Sequence, residues 1–160
     1  MNGIDLKNNE LCGLCNILEM TPLLATMGYY TKFEFSAKLR GDTPPEVIGL
    51  LQKIISDGHK LADIDNLPEW ALELPFFQTP DWDMVFFGKN CENYPDPILI
   101  TKEGKYWILK IWSELKGYDD EIEEFIKWIT PYIKNRKLKH YVGFTHGEEG
   151  SRSNIYITRQ

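Results

Sequence analysis

The sequence predicts an α+β domain: an antiparallel sheet carrying two principal helices on one face, ferredoxin-like in its plan, with a C-terminal hairpin. Three observations lead there. Tyr29 to Leu39 alternates apolar and polar residues, and the period then lengthens to that of a helix between Thr43 and Gly58. Trp107 to Leu115 does the same and passes at Gly117 into a second helical pattern ending at Pro131. Turn signals at Glu103-Gly104 and across 147–152 sit between further alternating runs, as hairpins require.

Residues 1–28 read as an appendage, a short helix or irregular stretch, ahead of a single domain over 29–160. Leu11, Leu14, Ile17 and Leu18 have rough helical spacing, but Pro22 and Gly28 stop any continuation. Cys12 and Cys15 lie inside this segment at a spacing that suits half of a zinc site. The remaining candidates, Cys91, His59, His140 and His146, form no matching pair, so two small apolar residues on a short helix is the favoured reading and no metal or cofactor is expected.

In the first strand Phe33, Phe35, Ala37 and Leu39 share one face, and Lys32, Glu34, Ser36 and Lys38 the other. Thr43 and Glu46 have capping-box spacing with proline between them. Val47, Leu50, Leu51 and Ile54 form the helix's apolar stripe, which Asp57-Gly58 closes. Residues 59–97 are rich in proline and aromatics, too apolar for a disordered linker. A helical turn near Glu69–Leu72 and a strand at Asp83–Phe87 are expected there, packed over part of the sheet. Pro97–Thr101 and Lys105–Leu115 form the first hairpin.

The second strand sets Trp107, Leu109, Ile111 and Leu115 against Lys110, Trp112 and Glu114. Asp119 is placed to cap the helix that follows, whose stripe is Ile122, Phe125, Ile126 and Ile129. Acidic residues crowd its first turn and Lys134 to His140 supplies cations beyond its end, the arrangement a helix dipole favours. Lys139–His146 and Asn154–Thr158 complete the second hairpin. The two strand–helix units align with each other: Ala37-Lys-Leu-Arg-Gly41 sets beside Ser113-Glu-Leu-Lys-Gly117, and Glu46-Val47 beside Glu121-Ile122. Two equivalent halves, or convergence on one good strand–turn–helix joint, explain this equally.

A chain of 160 residues with 42% apolar and 26% charged residues is an ordinary globule with room for a real core. The net charge of −6 opposes general binding to a phosphate backbone. No apolar run reaches transmembrane length, and the start lacks the charged flank of a signal peptide. Three cysteines, an odd number, fit a reducing, cytoplasmic setting better than a disulfide scaffold.

Phosphate loops, metalloprotease motifs and nucleophile elbows are missing from the sequence. His146, Glu148 and Glu149 form the one dense cluster of ionisable ligand types, suited to metal-assisted hydrolysis, although a charged hairpin tip explains them as well. Aromatics make up 13% of the chain. Tyr106, Ile108 and Trp112 point away from the helix-facing side, and Tyr141 and Tyr156 are candidates to join them. An open sheet face of aromatics is how RNA-recognition folds stack bases. Cover by residues 59–97 is the competing expectation, because aromatics seek burial.

The run Leu115-Lys-Gly-Tyr-Asp-Asp-Glu-Ile-Glu-Glu-Phe-Ile-Lys-Trp-Ile-Thr-Pro-Tyr-Ile133, with Gly143 and Glu148-Glu149 after it, resembles a set of small uncharacterised proteins of bacteria, phages and prophages. Their shared pattern reads Leu-Lys-Asn-Tyr-Asp-x-Glu-Ile, then Phe-x-x-Trp-x-x-Pro-Tyr, then Glu-Glu near the end. The likeness covers residues 29–160, with Gly117 in place of the usual asparagine. It implies a mobile-element setting, where small acidic proteins act by binding host components, and it brings no catalytic residues. The leading expectation is therefore a non-enzymatic protein-binding module, a modulator of a host or defence protein. A nucleotide or single-strand binder using the aromatic face stands second, and a metal-assisted hydrolase third.

Overall fold

Alternation in β1 (Tyr30–Leu39) buries Phe33, Phe35, Ala37 and Leu39 on one side and leaves Lys32, Glu34 and Ser36 exposed on the other. The structure, a computed structural model, describes residues 30–58, 66–88, 98–116, 120–135, 137–148, 150 and 152–158. After β1 come α1 (Pro45–Asp57) and three one-turn helices, α2 (Glu69–Leu72), α3 (Pro75–Gln78) and α4 (Met84–Phe87). The hairpin of β2 (Ile98–Glu103) and β3 (Tyr106–Lys116) precedes α5 (Glu121–Ile129), which runs into a 3-10 turn over Thr130–Tyr132. The hairpin of β4 (Lys139–Gly147) and β5 (Arg152–Thr158) follows.

The five strands form one sheet in the order β2-β3-β1-β4-β5, with every neighbouring pair antiparallel. The first four have the ferredoxin-like order, with one helix after β1 and another after β3, and β5 extends the sheet past β4. The internal resemblance maps onto this plan. Aligned strand residues stand 76 positions apart, so Phe35 corresponds to Ile111, and these two are direct partners across the central strands. A pseudo-twofold relation between the two strand–helix units therefore passes through that pair.

Both principal helices cover the same face. Val47, Ile48, Leu50, Leu51 and Ile54 are buried in α1, and Ile122, Phe125, Ile126, Trp128 and Ile129 in α5. Thr43 does not cap α1. Its hydroxyl donates to the Arg40 carbonyl at 2.7 Å, leaving Pro44 as the N-cap without a side-chain bond. The chain turns too early for the capping box expected from Thr43 and Glu46. Gly58, at φ 57, ends the helix as expected. The predicted cap Asp119 lies outside the described residues, and Asp120 holds the N-cap position of α5 without a side-chain bond.

The proline- and aromatic-rich stretch explains most of the aromatic excess. Phe76, Phe77 and Phe86 are buried against α5, with Phe76 stacked on Trp128 at 5.4 Å and Phe86 edge-on to Phe125 at 5.6 Å, and the buried Trp82 packs on all three. The helical turn at Glu69–Leu72 is present as α2. The strand expected at Asp83–Phe87 is instead the helical turn α4, in which the amides of Phe86 and Phe87 both donate to the Asp83 carbonyl at 2.9 Å. Four apolar residues in a row carry no period, so tertiary packing of Val85 and Phe86 into the aromatic layer chose the helix. The β2–β3 hairpin turns at Gly104-Lys105, one residue later than the sequence suggests, with Gly104 at φ 61.

Candidate functional site: the open face of the sheet

Every buried strand residue lies on the helical side, and the opposite face holds no buried side chain among the described residues. Within residues 66–88, Phe76, Phe77 and Phe86 pack with α5 on the helical side, while α4 runs beside β3 and Gly88 meets the Glu114 backbone. The expectation that residues 59–97 shield this face is corrected for those three rings. Residues 59–65 and 89–97 lie outside the described residues.

The register places the side chains in rows. Glu34 of β1 pairs with Trp112 of β3 on one side and Phe144 of β4 on the other. One step along, Lys32 pairs with Glu114 and His146, and His146 pairs with Arg152 of β5. Arg152 leans back over the Phe144 ring, 3.9 Å from its centroid, and Lys32 reaches Glu114 at 3.7 Å. Trp112 is half-exposed and makes no ring or cation contact among the described residues. Phe144 and Arg152 were not singled out from the sequence. Their signal was the alternation of Phe144 and His146 with Gly143 and Thr145.

Tyr141 and Tyr156 do join this face, through a bulge. The β4–β5 register shifts between Tyr141 and Gly143, and Val142 and Gly143 are both buried although adjacent. Strict alternation would put Tyr141 on the core side with Gly143 and Thr145. The extra residue turns it outward, opposite Tyr156, with ring centroids 5.6 Å apart and Tyr141 46% exposed. Lys139 lies 4.3 Å over the Tyr156 ring.

Tyr106 marks the far end. The ammonium groups of Lys38, Lys105 and Lys134 stand 5.5, 5.4 and 3.5 Å from its ring centroid. Hydrogen bonding from Lys134, helped by the charge of Lys105, draws its phenol below the ordinary tyrosine range. Lys38 also meets Glu103 at 2.8 Å, which holds that carboxyl below its usual value.

Charge is thus segregated by face. Lys32, Lys38, Lys110, Lys139 and Arg152 accompany the open sheet, against Glu34, Glu103 and Glu114. Acids dominate the helices and their turns, among them Glu46, Glu69, Glu73, Asp83, Glu123 and Glu124. Among the described residues the open face is therefore cationic despite the negative total.

His146 and Glu148 are the described members of the cluster expected at the second hairpin's tip. His146 stands in register between two cations, Lys32 and Arg152, which would repel a dication. Glu148 is exposed in the turn, and Glu149 lies outside the described residues, as do Cys12 and Cys15. Among the described residues no group of three His, Cys, Asp or Glu side chains is placed to hold a metal ion. No helix among them is long and apolar enough to cross a membrane. A groove of about 320 Å³ between α1 and α2, lined by Glu46, Lys53 and Trp70, lies on the helical side, and Lys53 there already donates to the Asn66 carbonyl at 2.8 Å. Comparison of the chain with protein-family models, with curated proteins and with solved structures found no match.

Proposed function

We propose that this chain binds single-stranded nucleic acid across its open sheet face. The observation that carries the reading is the row Trp112, Glu34, Phe144 beside the row Glu114, Lys32, His146, Arg152, on a face with no buried described residue. A half-exposed indole on a rigid sheet is suited to accept the face of an unstacked base. The Arg152 guanidinium over Phe144 offers a second planar surface, and the interleaved cations suit the backbone. A duplex presents no free base faces, so a single strand is the better fit. The net charge of −6 is less of an obstacle when most acids among the described residues lie on helices and turns rather than on this face. A field of that shape orients an approaching polyanion toward the sheet.

The test is fluorescence anisotropy of labelled single-stranded oligonucleotides across a salt series. Saturable binding should weaken as salt rises, with log K falling by about 0.7 per log unit of salt for each phosphate neutralised. Trp112→Ala should weaken binding by about 1–3 kcal/mol, the usual worth of one stacked base. No saturable binding at low salt, or indifference to Trp112, would end the proposal.

A protein-binding module acting in the cytoplasm on a host or defence component is the second reading. The exposed Tyr141 and Arg152 and the half-exposed Tyr156 and Trp112 favour it, because Tyr, Trp and Arg are the side chains that anchor protein interfaces. Such a partner would present an acidic surface to this face.

A further inference from the structure

The end of the face around Tyr106 differs from its middle. Among the described residues no ring or cation lies on Trp112, whereas the Tyr106 ring is covered by the Lys134 ammonium at 3.5 Å. A base cannot stack there without displacing a cation, so Tyr106 is poorly suited to the stacking role that its position on the face suggests. What gathers around it is positive charge from three separate parts of the chain.

The gathering is built by the backbone. Lys38 comes from the end of β1, and Lys105 from the two-residue β2–β3 turn. Lys134 arrives from beyond α5, because Ile133 bridges to Leu39 and the Lys134 amide donates to the Lys38 carbonyl at 2.7 Å. The Arg40 amide donates to the Tyr132 carbonyl, also at 2.7 Å, and closes the same ladder. These bonds hold Lys134 beside Lys38 whatever their side chains do. Tyr106 adds a phenol, a hydrogen-bond donor, in their midst.

The charge count fixes the ligand class. Among the described residues three ammonium groups face one carboxylate, Glu103, leaving a surplus of two positive charges. An internal phosphodiester carries one negative charge, whereas a terminal phosphomonoester carries about −1.5 to −2 at neutral pH. The site also lies at the rim of the sheet, where the β2–β3 turn and the end of β1 coincide, so a strand crossing the face finishes there. We infer that Lys38, Lys105, Lys134 and Tyr106 form a subsite for the terminal phosphate of the bound strand. The inference rests on the single-strand reading above and adds to it a preference for a phosphorylated end.

One oligonucleotide sequence prepared with a 5′-phosphate, with a 3′-phosphate and with neither tests it on the full chain. One phosphorylated form should bind roughly tenfold more tightly than the unphosphorylated strand, with a salt slope steeper by about 0.7 or more. In the double variant Lys105→Ala/Lys134→Ala, whose thermal melt should match that of the parent, all three forms should bind alike. Equal binding of the three forms to the parent chain would overturn the subsite and leave the single-strand reading standing. Should no oligonucleotide bind, that reading falls and inorganic pyrophosphate decides the subsite alone. A saturable shift of the Tyr106 ring resonances, lost in the double variant, supports it, and an unmoved Tyr106 ends it.

Discussion

The ring of Phe125 meets that of Phe35 edge-on, with centroids 5.2 Å apart and planes at 84°. Phe33, Phe76, Phe86 and Trp128 surround the same ring at 5.6–6.1 Å, so one side chain joins the sheet, α5 and the aromatic layer. Phe125→Ala should cost about 3–5 kcal/mol, the range for truncating a buried aromatic. Glu124→Ala removes only a half-exposed pair with Lys127 at 2.6 Å and should cost about 0.5 kcal/mol or less. Urea melts of both variants compare them, and similar losses would mean that α5 does not dock through this stripe.

Gly143 lies where β4 presses on β1. A Cβ there would stand 1.9 Å from the Glu34 carbonyl oxygen, a backbone atom that cannot step aside. Gly143→Ala should therefore cost at least about 1–3 kcal/mol, as overpacking does. Because Tyr141 is turned outward by the adjoining bulge, the variant should also change the Tyr141–Tyr156 contact. An unchanged melt and unchanged tyrosine resonances would contradict the β1–β4 register.

Thr145 is 1% exposed and its hydroxyl has no hydrogen-bond partner among the described residues. Thr145→Val keeps the shape and removes the stranded polar group, so stability should rise by about 1 kcal/mol. Ser113, buried across β1 from it, is in the same position. Calorimetry of Thr145→Val decides the point, and a lower melting temperature would reveal an internal water bound to the hydroxyl.

Phe144 and Arg152 act as a unit on the open face, 3.9 Å apart. Arg152→Ala should weaken single-strand binding and flatten its salt dependence by about 0.7, the mark of one lost phosphate contact. Phe144→Ala should weaken binding without flattening it, because a ring carries no charge. Parallel salt series on the two variants separate these effects, and identical changes in slope would contradict the division of roles.

His140 titrates below the ordinary histidine range because burial disfavours its charged form and Lys137 repels it. Its unfolded form therefore gains a proton first as pH falls through about 6.5. Stability attributable to His140 is intact above that value and declines below it, until pH passes the lowered folded value. His140→Gln should remove part of the acid sensitivity seen between about pH 7 and pH 5. Melting temperatures of the two proteins across that window check it, and parallel curves would exclude the contribution.

The strand and helix periods were legible in the sequence because each is a local pattern. Phe33 to Leu39, Leu109 to Leu115 and the α5 stripe face the core as their spacing requires. Tyr106 and Trp112 fall on the outer face for the same reason. The repeated strand–helix unit and the turns at Gly58 and near Gly104 could likewise be read from residue types alone.

Tertiary structure decided what no local window contains. The conformation of Met84 to Phe87 depends on the aromatic layer it enters, since an apolar run has no period of its own. The outward turn of Tyr141 depends on a bulge forced where Gly143 touches Glu34. Net charge says nothing of where charges lie, so the cationic sheet and acidic helices became visible only once the strands had their order. Lys134 reaches Tyr106 across 28 positions of sequence because Ile133 bridges to Leu39, a pairing set by the whole fold. Periodicity is written in a few neighbouring residues, whereas juxtaposition of distant side chains follows from the packing of every element against the rest.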